Sequence, residues 1–520
     1  MSMTTALDWT SNFIELEDDT LFLLFEFIDL GSLASLCRTC RRLHTLVNES
    51  GWIIHHKHNQ RTCRSLAQAR STWSAYESLK YDHLSDRAWR EGVFIARPLS
   101  APWQKYCTPA FAMSNHRIVY AACRELHFCE YTIPQSKGLA PGLRIEGKGV
   151  VQTPDAAGEG IPTTGRRLPR NFITGVAFVP DGTALIASFE DGSVTKTRLP
   201  DDTPTPSQSP NQALAKSLPT EPLYRAKHPV ACLTACSHLF LSFSTRGEAT
   251  LYNSLTGTTS NLALGFQRSS AYSAYLPAKK PSYAAFGSSD SESVALRTHS
   301  IFESGFCKLP SLALGFGESA TADVNAYTMP RTSRNSALAL SGPPPHFGNS
   351  EQIIVSGWTD GIVRVYDLRS PRRGSPSEIT NADESLTTVP TLLPVMSMYD
   401  PVSRGIGTVA SGGGEGCYIA ASSLMNNSIS FWDVRCPREV LNTHAPVTTD
   451  QPPVYALEME STRLFGATGR RPFIYDFGPG VTSETYPAIE TSGGDGLALE
   501  PNGVGYRANY YRSMNDLDVE

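Results

Sequence analysis

Two patterns in the 520-residue sequence predict an α + all-β chain, a small N-terminal helical domain followed by a β-propeller of about seven blades. Apolar residues recur at helical spacing between Leu21 and Val47, and that periodicity stops near residue 95. Beyond it, one hairpin design recurs seven times among Gly-, Pro-, Ser- and Thr-rich punctuation. With 40% hydrophobic and 18% charged residues, the chain has the composition of a water-soluble protein and the length for a sizeable core.

The first helix is read from Leu21, Leu24, Phe25 and Ile28 at i, i+3, i+4 and i+7. Asp18 and Asp19 lead it, and their charge suits a helix N-terminus. Gly31 and Ser32 mark a break. A second helix is expected from Leu33, Leu36, Cys37, Cys40, Leu43 and Val47, which share one face. That spacing sets both thiols of the Cys37/Cys40 pair among leucines. A zinc knuckle would hold such a pair on a turn, with two more ligands at matched spacing; His55 and His58 stand too close for the usual histidine pair. A redox pair would open a helix, where the dipole lowers a thiol pKa. The expectation is packed thiols, no metal, and surface histidines at 55, 56 and 58. Residues 59–95 keep a helical character and read as a spacer, with Trp73 and Trp89 anchoring it on the next domain.

The clearest repeat is IIVSGWTDGIVRVYDLR (353–369), two strands about Asp360-Gly361, a preferred hairpin turn. Related hairpins are read at 116–131, 184–199, 238–253, 283–298, 418–435 and 464–477. Partner strands lie upstream in ITGVAFVPDG, VACLTAC and VYALEME. Long disordered or excursion loops are expected at about 199–222, 302–350 and 370–392, and GGGEG (412–416) as a flexible turn. Aromatics after Tyr486 are a candidate closing strand. The Ser-Pro and Thr-Pro dipeptides are candidates for proline-directed phosphorylation, although such dipeptides are frequent in any loop.

A hairpin whose last strand ends in Trp-Asp or Tyr-Asp resembles the WD-repeat blade. Trp432-Asp433 is literal, and Tyr366-Asp367 and Tyr475-Asp476 are close substitutes. The Gly-His half of that motif is nowhere clear, so its usual His–Asp network is not expected in most blades. The first helices resemble the F-box. Leu16 matches its opening leucine, and Leu21 and Leu24 match its first-helix apolar pair. Ile28-Asp29 matches the end of that helix, and Leu33 and Leu36 the next helix. Cys40-Arg41-Arg42 matches "Cys-Arg-Arg", and Trp52 the late tryptophan. Leu16-Glu17 stands where the family has Leu-Pro, Thr39 where it has valine, and Leu43 where it has tryptophan. As a whole the chain is similar to F-box/WD-repeat proteins, the dactylin type in particular, through SDRAWREGVF, IIVSGWTDGIVRVYDLR and PPVYALEMESTRLFGATGRRPFIYDF.

The resemblance implies an F-box at 12–58, a helical linker at 59–95 and a WD-repeat propeller at 96–510. It implies docking to a Skp-type adaptor and, through it, to a cullin–RING ubiquitin ligase. Leu16, Leu21, Leu24, Ile28, Leu33, Leu36, Cys40, Leu43 and Trp52 would be divided between the F-box core and the adaptor groove. The propeller would hold a protein substrate. Reading a phosphorylated substrate takes clustered arginines. Arg372, Arg373, Arg470 and Arg471 are the candidates, and Arg166, Arg167, Arg170, Arg331 and Arg334 also fall in or near loops.

No GxSxG, P-loop, HExxH or strand-to-helix GxGxxG is present, so neither an enzyme nor a cofactor is expected. A net charge of -5 supplies no bulk attraction to nucleic acid or anionic membrane, and no apolar run is long enough to span a bilayer. The N-terminus has no secretory pattern, and eleven unspaced cysteines suit a reducing compartment, cytosol or nucleus. The alternative reading is a WD-repeat scaffold whose F-box-like helices serve another protein contact.

Overall fold

The computed structural model describes residues 16–103, 106–133, 143–152, 172–199, 220–265, 271–279, 281–289, 294–303, 305–316, 336–400, 405–446, 452–487, 489, 506–509 and 511–512. Its N-terminal part holds helices α1 (Asp18–Phe27), α2 (Leu30–Leu36), α3 (Arg41–Leu46) and α4 (Trp52–His58), with a π-helical turn at Val47–Gly51 between the last two. Two spacer helices follow, α5 (Ala67–Arg70) and α6 (Ala75–Glu91). Asp29 caps α2 by accepting the Ser32 amide at 2.9 Å. A capping box of Ser74 and Glu77 opens α6, and Gly92 closes it in the left-handed conformation. Leu21, Phe25, Leu33, Leu43, Val47 and Trp52 bury their apolar surface together with Leu79 of α6, so this small core is completed by the spacer.

The single helix expected over Leu33–Val47 is two helices. Cys37 ends α2, and Cys40 sits in extended backbone (φ -149°, ψ 165°) as the N-cap of α3. The hydroxyls of Ser35 and Thr39 donate back to the carbonyls of Gly31 and Leu36, both at 2.8 Å, and such bonds compete with helix continuation. His55 also departs from expectation. It is buried, with Nδ1 3.2 Å from the Phe25 carbonyl, and burial holds its pKa below the usual imidazole range.

All seven quoted hairpins form antiparallel pairs. Their strands belong to seven sheets, arranged as a β-propeller. The innermost strands are Ala110–Met113, Ile173–Phe178, Val230–Cys236, Ala271–Tyr275, Ala337–Ser341, Ile406–Gly412 and Val454–Met459. Each packs on the next, and the last returns to the first. Turn chemistry is local. Asp191 and Asn426 each accept the amide and hydroxyl of the serine two residues on, and Thr468 accepts the amides of Arg470 and Arg471. Asp360 accepts the Ile362 amide (3.1 Å) and also holds the Arg364 guanidinium at 3.1 and 2.7 Å. Neighbouring sheets are stitched by the aromatic of the dipeptide motif: Tyr366 donates to the Gly315 carbonyl (2.9 Å) and Tyr475 to the His444 carbonyl (2.7 Å).

Ring closure comes from an unexpected place. Val93–Pro98, which straddles the expected boundary between linker (59–95) and propeller (96–510), pairs with Pro472–Asp476 and seals the last sheet, so the strand starts before residue 96. The tail adds Tyr506–Asn509 outside that strand. Within the three expected loops, 370–392 is a hairpin of Arg373–Thr380 and Leu386–Leu392, whose second strand runs parallel to Leu312–Leu314 and so joins the sheet of the preceding repeat. Strands at Gly305–Phe306, Leu312–Leu314 and Ala337–Ser341 fall inside 302–350, and Thr220–Arg225 begins inside 199–222. The pairing of Leu312–Leu314 with Leu386–Leu392 joins segments far apart in sequence, which local composition does not reveal. Residues 200–219 and 317–335 lie outside the described residues.

One buried imidazole gives the propeller a pH dependence. His299 is 2% exposed, its Nδ1 lies 3.2 Å from the Cys307 carbonyl, and burial lowers its pKa from 6.5 to about 4. Above pH 6.5 the neutral ring costs nothing in either state. As pH falls towards 4 the unfolded chain takes up the proton first, so about 3 kcal/mol of stability is lost across that window. His299→Gln is expected to flatten the urea midpoint between pH 7 and 4 relative to wild type. Parallel curves would reject the assignment.

Candidate functional site

The surface of the helical unit is set by what its core leaves outside. Leu21, Leu33, Leu43 and Trp52 are buried, while Leu16, Leu24, Ile28, Leu36 and Cys40 pack half-buried at the margin of that core. Leu23 (61% exposed) and Phe27 (74% exposed) project one turn apart from α1, and Ile53 is exposed on α4. This pair carries a signal in the sequence that was not foreseen: two large apolar residues lie off the core stripe. The Cys37 region is held by a polar chain. Trp52 Nε1 donates to Asn48 (3.1 Å), Asn48 Nδ2 lies 3.1 Å from His44 Nε2, and His44 Nδ1 lies 3.0 Å from the Cys37 carbonyl. With Nε2 accepting, Nδ1 carries the proton and donates to that carbonyl. It is therefore no base for the Cys37 thiol, and the chain braces α2 against α3 and α4. Among the described residues no group of three or more His, Cys, Asp or Glu side chains is arranged to hold a metal ion.

Two buried anchors fix the helical unit on the propeller. Trp89 of α6 stacks on Phe477 with ring centroids 3.6 Å apart, lies 4.9 Å from the Tyr418 ring, and donates from Nε1 to the Ser461 carbonyl at 2.9 Å. Gly413 lies against it with φ +70°, and a methyl there would meet the indole at 3.0 Å. The glycine run at 412–416 is thus the seat of Trp89 rather than a flexible turn. Trp73 packs in a second shared core with Leu99, Trp103 and Ile474.

The second anchor is ionic. Arg463 is 1% exposed and donates to Asp476 (3.0 Å), the Tyr81 hydroxyl (3.1 Å) and the Ser65 hydroxyl (3.3 Å). Ser65 donates its amide (3.0 Å) and hydroxyl (2.5 Å) to Glu460. Burial raises the Tyr81 phenol well above its ordinary range and the Cys63 thiol to about 11, so both stay protonated at neutral pH.

These contacts tell the two ends of the ring apart. The turns Gly413–Gly416 and 460–462 face the helices, so the hairpin turns at 191–192, 360–361, 426–427 and 469–471 lie at the opposite, free end. A cavity of about 1320 Å³ extends from Phe27, Arg61 and Asp86 on the helical side to Lys279, His346 and Glu458 on the propeller.

The four candidate arginines are not brought together. Arg372 and Arg373 are exposed but follow Ile362–Asp367, which runs back to the helical end. Arg470 lies at the free end, its guanidinium 6.0 Å from the Tyr106 ring. Arg471 is 2% exposed, so it presents nothing to a ligand. The neighbours of Arg470 were not foreseen. The Tyr106 ring lies on Gly469, where a methyl would come within 2.6 Å, and its hydroxyl is 3.0 Å from that of Tyr455. Arg166, Arg167, Arg170, Arg331 and Arg334 lie outside the described residues.

No described helix is long and apolar enough to cross a membrane. No protein-family model matches the chain, and no curated protein sequence matches it.

Proposed function

We propose that this chain is the substrate-recognition subunit of a Skp–cullin–F-box ubiquitin ligase, an F-box/WD-repeat protein most like the dactylin type, with its seven sheets as seven WD-repeat blades. The observation that carries the reading is the exposed pair Leu23 and Phe27, on a helical unit whose own core uses neither. Apolar side chains one turn apart on an exposed helix are what a partner groove takes up. In this reading α1 enters the adaptor groove, with Leu16, Leu24, Ile28, Leu36 and Cys40 at its margin. Leu21, Leu33, Leu43 and Trp52 hold the unit together. The anchored spacer then keeps a bound substrate at a set distance from a charged ubiquitin-conjugating enzyme, which raises effective concentration without covalent chemistry by this chain. Arg470, Tyr106 and Tyr455, residue types favoured at binding hot spots, form the candidate substrate rim at the free end. The compartment is the cytosol, the nucleus or both.

The test is capture of a Skp-type adaptor by the full chain and by Leu23→Asp with Phe27→Asp. Both positions are exposed, so folding is retained, while two charges in an apolar groove should weaken binding by at least about 100-fold. Failure of wild type to bind, or equal binding by the double variant, sinks the proposal. A WD-repeat scaffold whose F-box-like helices contact another protein would then take its place. That rival is favoured by Glu17 and Leu43, which stand where the F-box has proline and tryptophan.

A further inference from the structure

Two Ser-Pro dipeptides of the described chain lie five residues apart, in Ser370-Pro371-Arg372-Arg373-Gly374-Ser375-Pro376, and the fold treats them oppositely. Ser370 is 8% exposed; its amide donates to the Asp367 carbonyl (2.9 Å), and its hydroxyl accepts the Arg372 amide (3.2 Å). Ser375 is exposed. It lies in Arg373–Thr380, which among the described residues is the terminal strand of its sheet, with one backbone edge unpaired there.

The register passes from Gly374 opposite Thr391 to Ser377 opposite Val389, leaving Ser375 and Pro376 together against Pro390. Neither proline can donate a ladder hydrogen bond, so a bulge presents the dipeptide outward. The segment is thus extended, its hydroxyl is accessible, one edge is open, and proline follows the acceptor. That is the form in which a protein kinase binds a substrate strand, with proline at the position a proline-directed kinase reads.

We propose that Ser375 is a phosphoacceptor for a proline-directed serine/threonine kinase. The Ser375 Oγ attacks the γ-phosphorus of ATP, the new Oγ–P bond replaces the bond to ADP, and the hydroxyl proton passes to the kinase base. The product adds nearly two negative charges beside Arg372 and Arg373, converting a basic corner of the propeller into a mixed one. Ser370, with the same proline, stays unmodified in the folded protein because its hydroxyl is sealed.

The experiment treats the folded full chain with a proline-directed kinase and ATP-Mg, and locates phosphate by fragment mass. A peptide covering 368–380 and the urea-unfolded chain are run beside it. The expected result is one phosphate at Ser375 in the folded chain, its loss in Ser375→Ala, and modification of Ser370 only in the peptide or the unfolded chain. No phosphate at Ser375 while the peptide is modified overturns the proposal. Equal modification of Ser370 in the folded chain does the same, as does transfer only by a kinase selective for the upstream arginines.

Discussion

Trp89→Ala is expected to cost about 3–5 kcal/mol and to free α6 from the propeller. The indole is fully buried, stacked on Phe477 and seated on Gly413, and its N–H satisfies the Ser461 carbonyl. Truncation therefore opens a cavity between the two parts and removes one of two donors to the Ser461 carbonyl, which keeps the Gly414 amide at 2.7 Å. Because α6 leads directly into the closing strand Val93–Pro98, the loss should reach both the spacer and the last sheet. Urea unfolding with hydrogen exchange on 75–98 is the measurement. A shift below about 1 kcal/mol, or unchanged protection of α6, would show that the spacer is held elsewhere. In the ligase reading the same variant should still capture the adaptor yet deliver substrate poorly, since the helical unit keeps its own core.

Arg463→Ala should be comparably damaging. It strips the cation from Asp476, which is 1% exposed, and a lone carboxylate left in such a site costs about 3–5 kcal/mol. The Asp476 side chain still accepts from the Tyr486 hydroxyl and the Gly478 amide, so some compensation remains. The paired replacement of Arg463→Met with Asp476→Asn removes both charges and should cost less than Arg463→Ala alone. A double-mutant cycle by denaturant unfolding reads the coupling directly. Additive single effects would mean that the pair is not a unit. Tyr81→Phe completes the series, because its hydroxyl carries this network into α6.

The hairpins were legible because their determinants are local. Alternating strands flank Asp191-Gly192, Asp360-Gly361 and Asn426-Asn427, and in each turn the first side chain accepts an amide two residues on. The buried stripe of α1 was legible for the same reason, since Leu21 and Phe25 are one turn apart. The break at Cys37–Cys40 was not, because the cysteines and leucines around it keep helical spacing across two separate helices. Arg471 reads in sequence as a loop cation, yet it is 2% exposed once the chain is folded.

The order of helices, spacer and repeated hairpins was therefore written in the sequence, together with part of the apolar stripe that fills the helical core. Tertiary structure alone decided which segments meet: Val93–Pro98 with the last sheet, Leu386–Leu392 with a neighbouring one, Gly413 with Trp89, and Ser65 with Glu460. The reason is physical. Turn and strand preferences act within a few residues, whereas these pairings gain their free energy from burying apolar surface and satisfying polar groups between segments up to several hundred residues apart.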